Sequence, residues 1–399
     1  MKILVVSQFF YPEQFRINDI CREWIDLQYD VTVLTGLPNY PTGIIPPEYK
    51  GRKRRTEVID GVKVIRSWLI PRGKGKLGLS LNYVSFAFSA AIKACFMKKE
   101  YDIVFCFQTS PVTMCLPAII MKKRSKAPFV LYCLDQWPAS LAAMNITEES
   151  LLYKILSCVS RWIYKKADRL LISSRMFENY FKKVHNIEGN VTYLPIYSEA
   201  LFENLDCKKE HEGFHFVFAG NIGKMQSVDT IIKAAKLLEN HNNITFHIVG
   251  DGSALTDVQE LANELELGNT VFYGCLPIEK MPEFYAMADA MLVTLSKDSY
   301  ITNTLPGKVQ TYMAAGKPII AAIDGETCLV MEEAGCGLCG EAMNENALAE
   351  NILKFINEPQ HVQIYAGNSL RYYREVFDKS RFFNVLTNIF NEVKKRGKN

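Results

Sequence analysis

Short apolar runs alternate with amphipathic segments along the whole chain. A short apolar run fits a strand that is buried on both faces, and apolar residues three or four positions apart fit one face of a helix. Strand patterns occur at 1–7, 31–35, 58–66 (a hairpin), 102–106, 129–133, 167–174, 191–195, 214–220, 245–249, 270–274, 290–295 and 318–321. Helical patterns occur at 18–27, 79–97, 228–238, 308–315 and 378–396. The alternation predicts an α/β fold with two doubly wound, Rossmann-like sheets, the second of five strands.

The chain of 399 residues is too long for one hydrophobic core. Residues 197–213 are polar and aperiodic, which is typical of a linker. We therefore predict an N-terminal domain over 1–196, a C-terminal domain over 214–377, and a terminal helix over 378–396 that packs back on the first domain.

Charge is distributed unevenly between the two halves. Residues 1–195 contain 28 Lys and Arg against 16 Asp and Glu, whereas the remainder contains 18 against 27. A basic N-terminal half favours an anionic partner or surface. Nucleic acid is not the predicted partner, because the chain has no recognised nucleic-acid-binding motif.

The segment 72–99 combines basic residues with an apolar helix. A basic entry over 72–76 leads into the helix 79–97, which Asn82, Ser85, Ser89 and Lys93 interrupt, so we do not expect it to span a membrane. Two interpretations are open: an ordinary helix packed on the sheet, or a helix that also docks on an anionic membrane surface together with the basic cluster from Arg52 to Arg55. The basic clusters are also compatible with solvated loops.

Cysteine and histidine spacing gives no support for a metal site. The eleven cysteines are scattered, and Cys336 and Cys339 form one lone Cys-x-x-Cys. The six histidines form no ligand pattern. We expect reduced packing thiols, a cytoplasmic protein and no metal cofactor.

The stretch 303–320 has the pattern of a phosphate-binding loop, helix and strand. Pro306 and Gly307 end the loop, a short helix follows, and Gly316 stops it. Lys308 would stand at the helix N-terminus, where backbone N–H groups and the helix dipole favour an anion. A helix capped for packing alone is the alternative.

Two further segments place polar groups at the carboxyl ends of strands, where open parallel sheets bind ligands. The turn 220–227 repeats the combination of glycine and lysine, with Lys224 as its charge. Asp135 follows the strand 129–133 and could accept a proton or stabilise developing positive charge, although it could also cap the next helix.

Taken in order, these motifs resemble those of glycosyltransferase family 4, retaining enzymes of the GT-B fold with two domains facing a central cleft. The motifs lie at 10–13, 135–138, 218–224, 249–252, 272–274 and 306–318. The resemblance covers nearly the whole chain and is closest to the branch that builds surface polysaccharides, such as colanic-acid-type and O-antigen fucosamine transferases.

The resemblance implies a set of site residues. Asp135, Lys224 and Lys308 would be catalytic, with the two lysines on the donor diphosphate. Donor-binding residues would be Gly220, Asn221, Gly223, Lys224, Gly250, Gly252, Gly274, Cys275, Leu276, Asn303, Thr304, Lys308 and Thr311. The acceptor-side loop would contribute Tyr11, Glu13, Arg16 and Asn18.

The chain departs from the family pattern at four of these motif positions. Asn303 and Thr311 stand where the family has two glutamates that hold sugar and ribose hydroxyls, so those contacts are in doubt. Gln226 replaces a second lysine, and Leu134 replaces the usual histidine beside Asp135.

The implied function is transfer of a sugar from a UDP-sugar to a polyprenyl-diphosphate-linked saccharide at the inner face of the membrane, without a metal. Two alternatives are open: a UDP-sugar epimerase of the same fold, and a sugar-nucleotide-binding protein without turnover. The lost glutamates suggest the second alternative, but the resemblance to the polysaccharide branch favours a variant of substrate recognition over an inactive enzyme.

Overall fold

The apolar runs form two mostly parallel sheets, each in its own unit. The computed structural model describes residues 1–51, 53–73, 75–144, 146–203, 205 and 211–396. The N-terminal unit comprises 1–173, 177–194 and 385–399, and the C-terminal unit comprises 174–176 and 195–384. Arg52 and Lys74, which belong to the predicted basic segments, and most of 204–210 in the predicted linker lie outside the described residues.

The N-terminal sheet has eight strands in the order β3-β4-β2-β1-β5-β6-β7-β8. The strands are β1 Lys2–Val6, β2 Asp30–Thr35, β3 Thr56–Ile59, β4 Val62–Arg66, β5 Ile103–Gln108, β6 Phe129–Cys133, β7 Arg169–Ile172 and β8 Val191–Tyr193. Among the described strands of this sheet, only β3 and β4 pair antiparallel, as a hairpin. Parallel pairing brings the ends of β1, β5 and β6 to one edge, as the sequence predicts.

Helices cover both faces of this sheet. They are α1 Arg16–Asp26, α2 Gly75–Phe96, α3 Leu116–Ser125, α4 Leu151–Tyr164, α5 Met176–Tyr180 and the terminal α14 Lys379–Arg396. One face packs α2, α3 and α4 into a single core with the strands. On the other face, Trp24 of α1 and Phe390 of α14 contact the Phe105 ring of β5, at centroid distances of 5.3 and 5.9 Å.

The C-terminal sheet is parallel, in the order β11-β10-β9-β12-β13-β14. Its strands are β9 Phe214–Ala219, β10 Ile244–Val249, β11 Thr270–Gly274, β12 Ala290–Thr294, β13 Ile319–Ala322 and β14 Gly337–Gly340. Its helices are α6 Asp229–Leu237, α7 Leu255–Glu264, α8 Met281–Met287, α9 Ser299–Thr302, α10 Gly307–Ala314, α11 Glu326–Ala334, α12 Glu345–Asn357 and α13 Gln360–Tyr372. The two parallel α/β sheets confirm the predicted fold class.

The prediction of five strands in the second sheet was wrong, because β14 adds a sixth. This edge strand contains Gly337 and Gly340, and glycine disfavours strands, so its sequence carries little strand signal. A Cβ on Gly337 would lie 1.8 Å from the Ile319 carbonyl oxygen, so the close approach to β13 requires glycine. Cys339 of the lone Cys-x-x-Cys lies on this strand, and its thiol donates to the Ile323 carbonyl.

Candidate donor site

Two glycine turns join the carboxyl ends of β9, β10 and β11. The Gly220 N–H donates to the Val249 carbonyl, and the Gly250 N–H donates to the Gly274 carbonyl, both over 2.9 Å. Gly220 and Gly250 have φ of 142° and 143°, a region that residues with a Cβ rarely adopt. A Cβ on Gly250 would lie 1.8 Å from the Gly220 carbonyl oxygen. Glycine at both positions therefore keeps this strand edge compact and free of side chains.

The Lys308 ammonium lies directly beside the first glycine turn. A Cβ on Gly220 would be only 3.2 Å from Lys308 Nζ. Nζ is buried, and among the described residues no atom forms a hydrogen bond with it. Its one described contact of note is the Phe218 ring, with Nζ 3.8 Å from the centroid. A buried ammonium without a hydrogen-bond acceptor is costly, so this position favours an anionic ligand.

Burial also changes the protonation of this lysine. Desolvation disfavours the charged form and lowers the pKa of Lys308 to about 7. An anion bound beside Nζ would favour the ammonium and raise the pKa again. Ligand binding and proton uptake are therefore coupled at this lysine.

Tyr312 fixes the helix that carries Lys308 against the end of β9. Its hydroxyl donates to the Ala219 carbonyl over 2.9 Å and accepts from the Ala219 N–H over 3.1 Å. Ala219 immediately precedes Gly220, so one buried phenol aligns the glycine turn with the first turn of α10. The sequence does not indicate this role of Tyr312, because an apolar helix face gives no sign of a long-range hydrogen bond.

Lys224 lies on the same turn, four residues after Gly220, and its side chain is exposed. Gln226 braces this turn, since its Oε1 accepts from the Gly223 N–H over 3.1 Å and from Asn221 Nδ2 over 3.0 Å. The glutamine that stands in place of a second lysine thus has a structural role. It also engages the side-chain amide of Asn221 in a hydrogen bond.

The other predicted donor residues differ in how accessible they are. Thr311 is buried, and its hydroxyl donates to the Gly307 carbonyl within α10. The Thr304 hydroxyl donates to the Tyr300 carbonyl. The Asn303 carbonyl accepts from the Ser174 hydroxyl. Contacts from these three side chains to a donor stay predictions.

The remaining predicted donor positions line the ends of β10 and β11. Gly252 lies close to the Ile222 carbonyl oxygen, which a Cβ would approach to 2.4 Å. Cys275 is exposed and Leu276 is partly buried. Gly274 has no heavy atom within 4 Å of a Cβ position, so the backbone there has open space beside it.

In the N-terminal unit, a hydrogen-bond chain holds Asp135. Ser110 bonds the carboxylate through its hydroxyl and its backbone N–H, and Trp137 Nε1 donates to the Ser110 hydroxyl over 2.8 Å. Burial raises the pKa of Asp135, and the bonds from Ser110 oppose that rise. No described contact makes Asp135 a cap of the segment 139–144.

His185 holds the same loop, the residues after Asp135, through a bond to the Trp137 carbonyl. It is fully buried, and its Nε2 lies 2.8 Å from the Trp137 carbonyl, which can only accept, so Nε2 carries the proton. Burial lowers the pKa of His185 to about 4. A neutral histidine thus supports the residues that follow Asp135, a role that the local sequence around His185 does not indicate.

The predicted acceptor-side loop is anchored through Glu13. The buried Glu13 carboxylate accepts from the backbone N–H groups of Asn39 and Tyr40 over 2.8 and 2.7 Å. Burial raises the pKa of Glu13, and these two bonds oppose the rise. Asn18 Nδ2 donates to the Glu13 carbonyl, so both side chains shape the loop.

Tyr11 and Arg16 remain on the accessible part of this loop, Tyr11 exposed and Arg16 half-buried. Contact of any of these four residues with an acceptor stays a prediction. Among the described residues no group of three His, Cys, Asp or Glu side chains is placed to hold a metal ion.

Glycine turns around a lysine at the carboxyl ends of parallel strands are typical of α/β proteins that bind phosphorylated ligands. The chain belongs to the glycosyltransferases: residues 14–196 match the glycosyl transferase 4-like domain, and residues 206–370 match the glycosyl transferases group 1 model. The predicted family and the predicted enzyme class, a glycosyltransferase, are confirmed.

Curated relatives carry the same activity in their names. The probable glycosyltransferase WbjE of Pseudomonas aeruginosa is 26% identical over 65% of this chain and 67% of its own. The putative colanic acid biosynthesis glycosyl transferase WcaI of Escherichia coli is 23% identical over 99% of this chain and all of its own.

Solved structures share the fold at low sequence identity. Sucrose-phosphate synthase from Thermosynechococcus elongatus has a TM-score of 0.74 at 15% identity and covers 98% of both chains. HepE from Anabaena, solved in complex with UDP, has a TM-score of 0.72 at 15% identity over 98% of this chain and all of its own. These neighbours place the two units in the GT-B class of glycosyltransferase folds.

Proposed function

We propose that this glycosyltransferase moves a sugar from a UDP-sugar to a polyprenyl-diphosphate-linked saccharide, with retention at the anomeric carbon. The pathway would be the biosynthesis of a surface polysaccharide such as capsule, O-antigen or exopolysaccharide. The observation that carries the proposal is the buried Lys308 ammonium beside the Gly220 turn, for which the described part of the chain supplies no hydrogen-bond acceptor. A diphosphate would supply the missing acceptor and the missing negative charge.

The comparisons support the donor and the pathway. HepE has been solved with UDP and with UDP-glucose. WcaI is named for colanic acid biosynthesis, and a further relative, TuaH of Bacillus subtilis, for teichuronic acid biosynthesis. A UDP-sugar and an extracellular polysaccharide are therefore the substrate class and the pathway that we assign to this chain.

In the proposed reaction, the acceptor hydroxyl attacks the anomeric carbon on the face from which UDP departs. The bond from that carbon to the β-phosphate oxygen breaks, and the bond to the acceptor oxygen forms. The acceptor proton passes to the departing phosphate. Lys308 and Lys224 would stabilise the charge that accumulates on the diphosphate, a contribution that can dominate such a barrier.

Asp135 would act on the sugar side of the reaction. Its carboxylate would stabilise the positive charge that develops at the anomeric carbon as the leaving-group bond lengthens. The bonds from Ser110 hold the carboxylate in one orientation, which is what preorganised stabilisation requires. The residues present supply charge of both signs, so the proposal includes no metal.

A lipid-linked acceptor places the enzyme at the inner face of the membrane, and α2 supports this location. Its inner face carries Asn82, Ser85, Phe86, Ala90 and Ala94. Its outer face is more apolar than the inner one and carries the exposed side chains Leu77, Leu81, Val84, Phe88, Ile92 and Phe96. A helix that exposes its larger apolar residues in this way presents an apolar patch to solvent, which is typical of a surface that binds a partner or a membrane.

By length and composition, α2 is the one described helix that could cross a membrane. We favour docking over spanning, because Asn82 is fully buried and bonds Gln8 over 2.8 Å and the Ile70 carbonyl over 2.6 Å. These bonds fasten α2 to the N-terminal unit. The helix would then lie in the membrane interface with its outer face in the lipid.

A groove of about 610 Å³ runs beside this outer face. Trp68, Phe88, Ile92 and Phe96 give it apolar walls, and Arg55, Arg66 and Lys93 also line it. Apolar walls together with basic lining residues match the acyl chain and phosphate of an anionic lipid. The groove supports the proposed cytoplasmic, peripheral membrane location.

Turnover with lipid-linked acceptors tests the proposed function. A panel of UDP-sugars should be incubated with polyprenyl-diphosphate-linked saccharides, and UDP release and the mass of the lipid product measured. We expect UDP release with one donor, and an acceptor product heavier by that sugar. Background release with every donor, together with intact UDP binding, would instead support a sugar-nucleotide-binding protein without turnover.

A further inference from the structure

A second helix of the N-terminal unit also exposes an apolar stripe. On α4, the side chains of Leu151, Leu152, Ile155 and Trp162 are exposed, with Leu151 74% accessible. Leu151, Ile155 and Trp162 are four and seven residues apart, one and two helical turns, so they lie along one side of the helix. The buried side carries Tyr153, Ser160, Ile163 and Tyr164. Like α2, α4 is apolar on both sides.

The helix α4 lies in the same layer as α2. Ala90 of α2, Ala118 of α3 and Ile163 of α4 belong to one core on one face of the sheet. The Lys76 ammonium of α2 donates to the Met144 carbonyl over 2.6 Å, which ties the start of α2 to the segment that leads into α4. The two exposed stripes therefore lie on the outer side of one helical layer.

The helices of this layer contain cations and no carboxylates within their ranges, and one of the cations, Lys122, pairs with Asp168 just before β7. The ranges of α2, α3 and α4 contain no Asp or Glu, and their basic residues are Lys76, Lys93, Lys122, Lys123, Arg124, Lys154 and Arg161. Lys166, just after α4, lies with its ammonium 5.6 Å from the Trp162 ring centroid. The nearest preceding carboxylates, Glu148 and Glu149, lie before α4 begins. Exposed apolar side chains framed by cations are typical of a helix in an anionic lipid interface.

We infer that α4 is a second membrane contact, which inserts Leu151, Ile155 and Trp162 into a leaflet that contains anionic phospholipid. The helical layer of the N-terminal unit would then contact the membrane through two helices, α2 and α4. The inference rests on the membrane-docking part of the proposed function and is independent of the donor site. Charge complementarity selects the partner, because a second copy of this face would bring cations against cations.

Tryptophan fluorescence can test this contact directly. Of the four tryptophans, Trp24 and Trp137 are buried, whereas Trp68 and Trp162 are exposed. In a Trp68→Phe protein, Trp162 is the one exposed tryptophan. We expect its emission to shift to the blue with phosphatidylglycerol-containing vesicles and to be quenched by brominated acyl chains. Pure phosphatidylcholine vesicles should give a much weaker response.

A double substitution on α4 measures the contribution of this helix to vesicle binding separately from that of α2. Ile155→Ser with Leu151→Ser should lower vesicle affinity about tenfold, since two apolar side chains no longer enter the lipid. Ile364→Ser, at a similarly exposed isoleucine of α13, should leave the affinity unchanged. Circular dichroism melts check that each variant is folded.

The outcomes are distinguishable. Vesicle binding without quenching of Trp162, or without loss in the α4 variant, would overturn the α4 contact while α2 docking stands. A change in sedimentation instead of vesicle affinity would identify a contact between copies and overturn it too. Absence of any vesicle binding would overturn both membrane contacts, and UDP calorimetry would then report separately on the donor site.

Discussion

Lys308→Met is expected to weaken UDP binding about 100-fold in isothermal titration calorimetry. The substitution removes a charge-assisted hydrogen bond to the diphosphate, which is worth about 1.5–3 kcal/mol. Methionine retains most of the apolar stem and its contact with Phe218, so the loss of charge is the main change. Lys224→Met should also weaken binding, by less, because that lysine is exposed and its charge is screened by water.

The same substitution should not destabilise the fold. The free protein buries the Lys308 Nζ without a hydrogen-bond acceptor among the described residues, and methionine relieves that cost. We therefore expect an equal or higher melting temperature for Lys308→Met in the absence of ligand. Lys236→Met, which changes a surface lysine paired with Glu239, is the matched control and should leave UDP affinity unchanged. Unchanged affinity in both Lys308→Met and Lys224→Met would disprove the donor-site assignment.

Asp135→Asn is expected to lower turnover by about two to three orders of magnitude while UDP affinity stays the same. Asparagine preserves the size of the side chain and can still bond Ser110, but it carries no negative charge for the developing positive charge on the sugar. In the unmodified enzyme, burial raises the pKa of Asp135. Activity should therefore fall as the pH drops through that raised pKa, because the carboxylate is lost by protonation.

The control for this prediction is Asp60→Asn, at an exposed carboxylate of the same unit that pairs with Arg22. Its turnover should match that of the unmodified enzyme. Normal turnover in Asp135→Asn would leave Asp135 with a purely structural role. Loss of both turnover and UDP binding would indicate misfolding, which a circular dichroism melt would identify.

Most of the fold could be predicted from the sequence, because strands buried on both faces leave a strong local signal. The runs that form β1, β5 and β12 are nearly all apolar. They are five or six residues long and bounded by turns, which is typical of a strand buried on both faces. The edge strand β14 was missed for the opposite reason. Its Gly337 is needed for close packing against β13 and its Gly340 for close packing against α12, and a local strand pattern shows neither neighbour.

The candidate site was predictable only as far as local motifs allow. The sequence indicated Gly220, Lys224 and Lys308, since glycine and lysine at strand and helix ends are local features. It could not show that Lys308 lies over Phe218 or that Tyr312 bonds Ala219, because each pair is about ninety residues apart. The bonds from Ser110 to Asp135 and from His185 to the Trp137 carbonyl are likewise products of tertiary packing.

The exposed faces of α2 and α4 show a third limit of prediction from the sequence. Helical periodicity identifies apolar positions but does not say which of them face the core when apolar residues surround the helix. Of the two interpretations that the sequence left open for the 72–99 segment, packing on the sheet describes the inner face of α2, and membrane docking stays a proposal for its outer face. Its small residues and Phe86 pack inward, and its larger residues lie outside, where we propose that they meet the membrane.

Proton uptake on UDP binding tests the central claim, that the Lys308 ammonium binds the donor diphosphate. Burial lowers its pKa to about 7 in the free protein, so at pH 8 it is mostly neutral, and a bound diphosphate should restore the charge. Calorimetry at pH 8 in two buffers of different ionisation enthalpy should report close to one proton taken up per UDP. UDP affinity should accordingly weaken as the pH rises above about 7. Lys308→Met should abolish the uptake, whereas UDP binding by the unmodified protein without proton uptake would contradict the assignment.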